Sequence, residues 1–252
     1  MKIDLGGKVI LVTGASSGIG KAAAKYLAKC KATIAIHYNK GSKSAERLAK
    51  EIGNNSKPFH ADLLDPRNGV NLFKEVVTTY QRVDVLVNNA GLYKPSPIGK
   101  PVGEWLKDWQ ETLDVNLTSA AVLCREAIKH FKKNKGGRII NIASRAAFRG
   151  DTEDYFAYAA AKGGMVSLSR TIARAYGKFN IVSFVIAPGY VRTRMTEKYF
   201  AEHGEDDVLT EMALNKITEP EDIAPTIAFF ASGLMDHATG TSIDINAGSY
   251  VR

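Results

Sequence analysis

Cysteine is nearly absent from this chain: Cys30 and Cys124 are the only two in 252 residues, far apart and outside any CxxC spacing. That excludes a disulfide framework and a cysteine-based metal site, and a reducing, cytoplasmic compartment is the simplest expectation. Also missing is any apolar run approaching the roughly 20 residues that a bilayer span requires. The opening MKIDLGGKVILVTG passes from a short apolar stretch directly into a glycine-rich turn, without the long apolar core or small-residue cleavage site of a secretory leader. No Pro-, Gly- or Ser-rich tract marks a linker, so residues 1–252 read as one domain.

Acidic residues are in the minority, with 26 Asp and Glu against 34 Lys and Arg. The densest basic stretch is REAIKHFKKNKGGR, where Arg125, Lys129, Lys132, Lys133, Lys135 and Arg138 face only Glu126. Ala127, Ile128 and Phe131 are interleaved with these charges. The pattern is the solvated end of an amphipathic helix stopped by Gly136 and Gly137. No helix-turn-helix, zinc-finger or aromatic RNA-binding pattern accompanies it, so no nucleic-acid partner is expected.

What the chain does have is alternation. Seven β-rich runs, KVILVT, ATIAIHY, KPFHAD, VDVLVNN, RIINIAS, IVSFVIAP and SIDINAG, are separated by helical stretches such as IGKAAAKYLAKC, SAERLAKEI and NGVNLFKEVVTTY. This is the signature of βαβ units, and it predicts an α/β fold of one domain: a doubly wound, seven-stranded parallel sheet of the Rossmann type with helices on both faces. The longest break in the rhythm follows Pro188, and residues of about 190–216 are expected to form a lid over the site. Open parallel sheets bind ligands at the carboxyl ends of their strands, where this insertion begins.

Two local patterns suggest chemistry. TGASSGIG, Thr13 to Gly20, lies between the first strand and the first helix, where Gly14, Gly18 and Gly20 allow a tight turn and the helix N-terminus offers free N–H groups to a pyrophosphate. YFAYAAAK, residues 155–162, holds two tyrosines and a lysine. On a helix Tyr158 and Lys162 are stacked neighbours at i and i+4, whereas Tyr155 lies roughly 10 Å along the axis from Lys162. Only Tyr158 can share a small site with the ammonium. A free phenol titrates near 10, and a cation about 4 Å away is worth roughly 4 kcal/mol at an effective dielectric near 20, enough to draw the phenol towards the working range.

TGASSGIG, NNAG at Asn88 to Gly91, VNL around Asn116, IAS ending at Ser144, YAAAK from Tyr158 and PGYVRT from Pro188 stand in the order and spacing of the short-chain dehydrogenase/reductase family. The chain resembles that family over essentially its whole length, and 3-oxoacyl-acyl carrier protein reductases in general look. INAG near the C-terminus replaces the commoner Asp-Gly-Gly.

The resemblance implies a nicotinamide-dependent oxidoreductase acting on a carbonyl or secondary alcohol, with Asn116, Ser144, Tyr158 and Lys162 as the catalytic set. Tyr158 would be the proton donor or acceptor, Ser144 would orient the substrate oxygen, Lys162 would also hold the nicotinamide ribose, and Asn116 would hold a relay water. Tyr155 is left as a packing or pocket-wall residue. The cofactor set implied is Gly14, Ser16, Ser17, Gly18, Ile19 and Gly20 at the phosphates; Tyr38, Asn39, Lys40 and Ser42 at the adenosine ribose; Asp62 and Leu63 at the adenine. Asn89, Ala90 and Gly91 would follow along the adenosine, and Pro188, Gly189, Val191 and Thr193 would hold the carboxamide, with Tyr158 and Lys162 completing the set. No metal is expected. HYNKGSKS after the second strand offers no carboxylate before Glu46 and has Lys40 and Lys43 nearby, so NADP(H) is favoured over NAD(H).

The substrate is expected to be a small carbonyl or alcohol, free or carrier-bound. A 3-oxoacyl thioester competes here with sugar, polyol, steroid or pteridine chemistry, and recognition is assigned to the loop after Tyr190 and to Tyr93–Pro101. A non-catalytic dinucleotide sensor would have no use for the proton relay. The family resemblance, together with exposed-looking Tyr250 and Val251, implies a homotetramer.

Overall fold

The computed structural model describes residues 3–252. The strands are β1 (Val9–Val12), β2 (Thr33–Tyr38), β3 (Lys57–His60), β4 (Val85–Asn88), β5 (Gly137–Ile142), β6 (Ile181–Pro188) and β7 (Ser242–Ile245). All pairings are parallel, in the order β3-β2-β1-β4-β5-β6-β7. The strand order switches direction between β1 and β4, successive strands being added outward on one side to β3 and then on the other to β7, which opens the crevice where ligands bind in such sheets.

The interleaved helices are α1 (Gly18–Lys29), α2 (Ser42–Ile52), α3 (Asn68–Tyr80), α4 (Val102–Leu113), α5 (Ser119–Lys133), α6 (Ala146–Arg149) and α7 (Phe156–Tyr176), then α8 (Glu197–His203), α9 (Glu205–Thr210) and α10 (Pro220–Ser232). Strand side chains alternate between two cores. Ile10, Val12, Val85 and Ile140 pack with Leu27 of α1, Leu48 of α2 and Phe230 of α10, where Phe184 and Phe230 stack at 4.2 Å. Val9, Leu11, Leu86 and Ile139 face Leu72, Leu123, Phe131 and Ile172 of α3, α5 and α7 on the other side. Because both faces are covered, the central strands are mostly apolar, with Asn88, Asn141 and Ser183 as buried polar exceptions.

Two local readings are refined. The basic helix ends at Lys133, and the stop is shared by Lys135 (φ 63°) and Gly136 (φ 113°); Gly137 already belongs to β5, where a Cβ would sit 2.4 Å from the Phe131 ring. Asn116 lies within a single π-helical turn, Asp114–Thr118, that joins α4 to α5. No helix among the described residues is long and apolar enough to cross a membrane.

Candidate active site

A cavity of about 820 Å³ opens along the carboxyl ends of β1, β2, β4, β5 and β6. The loop after β1 forms its phosphate end. Gly14 (φ 64°) and Gly18 (φ 51°) take the left-handed region, and a Cβ on Gly20 would lie 2.5 Å from both the Asn89 side-chain nitrogen and the Gly14 carbonyl. Gly20 therefore serves close packing of α1 against NNAG and does not line the cavity; Gly14, Ser16, Ser17, Gly18 and Ile19 do. The first turn of α1 carries no acidic side chain, which leaves its N-terminal dipole open to an anion. This cradle fits a dinucleotide pyrophosphate.

NNAG is tied to the same loop. The Thr13 hydroxyl accepts from the backbone N–H groups of Asn89 and Ala90, each at 2.9 Å, and the Asn89 amide donates to the Thr13 carbonyl at 2.8 Å. Asn88 is buried and donates to Asn141 on β5 at 2.9 Å. Asn89, Ala90 and Gly91 line the cavity.

At the adenosine end, Asn39, Lys40, Asp62 and Leu63 line the cavity, while Tyr38 and Ser42 do not. Tyr38 turns to His60, with ring centroids 5.4 Å apart, and Ser42 donates to Glu46 at 2.8 Å on its own helix. The Asn39 amide donates to the Asp62 carboxylate at 3.0 Å, so the one acidic group at this end is already engaged. His37, unassigned in the sequence reading, lines the cavity in place of Tyr38. Its Nδ1 accepts from the Gly14 N–H and its Nε2 bonds the Ala61 carbonyl, both at 3.0 Å. Burial pushes its pKa down to about 4, keeping the ring neutral in this bridge.

The four catalytic candidates converge at the middle of the cavity. Ser144, two residues past β5, hydrogen-bonds the Tyr158 phenol and accepts the Ala146 N–H at 3.1 Å. Lys162 is buried on α7, one turn after Tyr158; its Nζ lies 5.6 Å from the Tyr158 ring centre and donates to the Ile142 carbonyl at 2.9 Å. The lysine does not draw the phenol down as the spacing argument expected. Burial dominates both groups, pushing Tyr158 up to about 12 and Lys162 down to about 8. Tyr158 is thus a neutral phenol, suited to giving a proton away.

Asn116 commits both amide protons to backbone carbonyls, Leu92 at 2.8 Å and Thr112 at 2.9 Å, and its Oδ1 accepts the Leu92 N–H at 3.2 Å. Its side chain fixes the strand of chain after Gly91, and one lone pair of Oδ1 is left for any relay water. A Cβ on Gly91 would come within 3.0 Å of that oxygen. Tyr155 stacks on Tyr93 at 3.8 Å, and Tyr93 packs edge-on against Tyr158 at 4.8 Å. The packing role expected for Tyr155 fits this geometry.

Pro188, Gly189, Val191 and Thr193 line the far wall. Gly189 passes so close to Asn246 of INAG that a Cβ would meet it at 2.8 Å, and Asn246 in turn caps the turn by accepting the Gly248 N–H at 2.9 Å. In the insertion, Tyr190, Arg194, Met195, Thr196 and Tyr199 face the cavity, and Arg192 pairs with Glu205 and Glu219 to hold α9 against the head of α10.

A glycine cradle, a doubly wound sheet and a Ser-Tyr-Lys cluster at the crevice define a dinucleotide-dependent oxidoreductase. Residues 14–249 match a family model described as enoyl-(acyl carrier protein) reductase, and the chain belongs to the short-chain dehydrogenase/reductase family. It is 30% identical over 253 residues to a 3-oxoacyl-acyl-carrier-protein reductase of Aquifex aeolicus, covering 99% of this chain and 100% of that one. A counterpart of the same description from Synechocystis is 33% identical, with 96% of each chain covered. Among solved structures, a candidate gluconate dehydrogenase from Agrobacterium tumefaciens superposes with a TM-score of 0.91 at 30% identity and full coverage of both chains.

Proposed function

We propose that the chain is an NADP(H)-dependent reductase that converts a ketone carbonyl into a secondary alcohol. The observation that carries this reading is the meeting of Ser144, Tyr158 and Lys162 beside Asn116, at the open end of the glycine cradle. The nicotinamide, when bound, supplies hydride to the carbonyl carbon or accepts it in the reverse direction. Tyr158 donates its phenolic proton to the carbonyl oxygen as negative charge develops there, and Ser144 holds that oxygen by a second hydrogen bond. Lys162, its pKa drawn down to about 8 by burial, orients the ribose and refills the Tyr158 proton, while Asn116 fixes the backbone at Leu92 that walls the site.

The 2′-phosphate preference rests on Asn39 and Lys40 at the end of β2, with no free carboxylate there. The insertion over residues of about 190–216 serves as the substrate lid of the single domain. Thioesters are the substrates that the names of the curated relatives suggest. A cytoplasmic homotetramer is the assembly and location that accord with the family and with apolar Val102, Leu106 and Val251 left exposed.

Steady-state NADPH oxidation against a ketone and acyl-thioester panel tests the assignment. Tyr158→Phe is expected to lower kcat by roughly 10²–10⁴-fold with cofactor affinity nearly intact, and Tyr155→Phe to cost far less. Reversed effects would remove the mechanism.

A further inference from the structure

The part of the cavity beyond Tyr158 is lined with charge. Arg145 directly follows Ser144, is only 6% exposed, and lays its guanidinium over the Tyr190 ring at 4.2 Å. Its Nη2 pairs with Glu211 at 2.9 Å, and among the described residues its buried Nη1 has no hydrogen-bond partner. Arg149, one turn later, pairs with the same Glu211 carboxylate at 3.0 Å. Two guanidiniums on this wall therefore share one protein carboxylate. Asp151, which also lines the cavity, accepts from the Tyr93 hydroxyl at 3.3 Å.

A buried guanidinium N–H left without an acceptor is costly, and the acceptor that suits a planar fork best is a carboxylate, which takes two parallel N–H bonds at once. A long acyl chain offers no such acceptor. Laid along this wall it would strip water from Arg149 and Asp151, return no hydrogen bonds, and leave the Arg145 Nη1 without an acceptor. A polyhydroxylated chain returns them, since each hydroxyl both donates, here to Asp151, and accepts, here from a tyrosine hydroxyl.

Building on the reductase reading above, we propose that the substrate is a small polyhydroxylated oxo acid, reduced to the corresponding hydroxy acid, whose carboxylate is held by Arg145 and Arg149 and whose hydroxyls are read by Asp151. Glu211 lies at the end of the insertion that forms the lid, so the same two arginines tie lid and substrate together.

Isothermal titration of the full chain, alone and saturated with NADPH, decides this with D-gluconate and sorbitol, which share a six-carbon polyol and differ in one terminal carboxylate. Gluconate is expected to bind at least about tenfold more tightly, and Arg149→Gln to abolish most of that difference. Arg149 is partly exposed, and circular dichroism establishes that the variant folds; should it not fold, the wild-type comparison still decides. Equal binding of the two ligands, unchanged gluconate affinity in a folded Arg149→Gln, or preferential reduction of a 3-oxoacyl thioester over an oxo acid overturns the proposal. Failure to bind NADPH, or full turnover in Tyr158→Phe, counts instead against the reductase reading, because the gluconate comparison on the chain alone needs neither.

Discussion

The backbone N–H of Gly14 donates to Nδ1 of His37 at 3.0 Å, so a side chain of β2 holds the glycine-rich loop of β1 in place. The bond exists only while Nδ1 is unprotonated. The folded pKa of about 4 lies below the ordinary 6.5, so the unfolded chain takes up this proton first. Stability from His37 is complete above about pH 6.5 and falls as pH drops towards 4, by roughly 3 kcal/mol in all. In urea unfolding at several pH values, the stability gap between wild type and His37→Leu is expected to be largest above pH 6.5 and to narrow below it. A gap independent of pH would show that the ring does not titrate in this way.

Tyr158, held up near 12, remains a phenol across the physiological range. The kcat for carbonyl reduction is therefore expected to stay level between about pH 6 and 7 and to change where Lys162, which refills Tyr158, loses its own proton near pH 8, while alcohol oxidation, which needs the phenolate, climbs with pH. A reductive rate that halves near pH 7 would assign the proton to a different group.

Placing a carboxylate at the end of β2 brings like charge to the 2′-phosphate. Asn39→Asp, which also puts two acids together by removing the amide that bonds Asp62, is expected to weaken NADPH relative to NADH by roughly tenfold or more in kcat/KM. Equal wild-type efficiency with both cofactors, unaltered by the substitution, would dispose of the preference.

Val102 and Leu106 on α4 are 74% and 52% exposed, Phe156 at the head of α7 48%, and Val251 83%. Apolar exposure on the α4 and α7 surfaces and at the C-terminus suits burial between subunits. Light scattering at micromolar concentration is expected to give four copies of the 27.4 kDa chain. A mass of one chain would count against both interfaces, and a dimer would keep one.

The seven-stranded parallel sheet with helices on both faces and the shared helix face of Tyr158 and Lys162 were legible in the sequence, because strand and helix periods and the i, i+4 spacing are local properties; Ser144 was placed by the family resemblance, and the strand order came only with the structure. The failures have physical causes. ATIAIHY is covered on both faces, so it has no polar and apolar sides from which to tell that His37, and not Tyr38, faces the cavity. Ser42 lies at the start of a helix, where Glu46 four residues on captures its hydroxyl. The Tyr158 electrostatics differ from the expectation because pairing with the cation counts for less than desolvation, and because nothing in YAAAK shows that the carbonyl of Ile142, twenty residues earlier, accepts a hydrogen bond from the lysine.

The π turn at Asp114–Thr118 sets a constraint on how this helix can change. It adds one residue to the continuous run from Val102 to Lys133, and so advances everything after it by about 100° relative to a regular helix. Deleting a single residue there would restore regular α-helix, yet it would swing either Asn116 away from Leu92 or Leu123, Ala127 and Phe131 away from the sheet. The extra residue lets one rod present two faces out of phase, so insertions and deletions are forbidden along this stretch even where point substitutions are harmless.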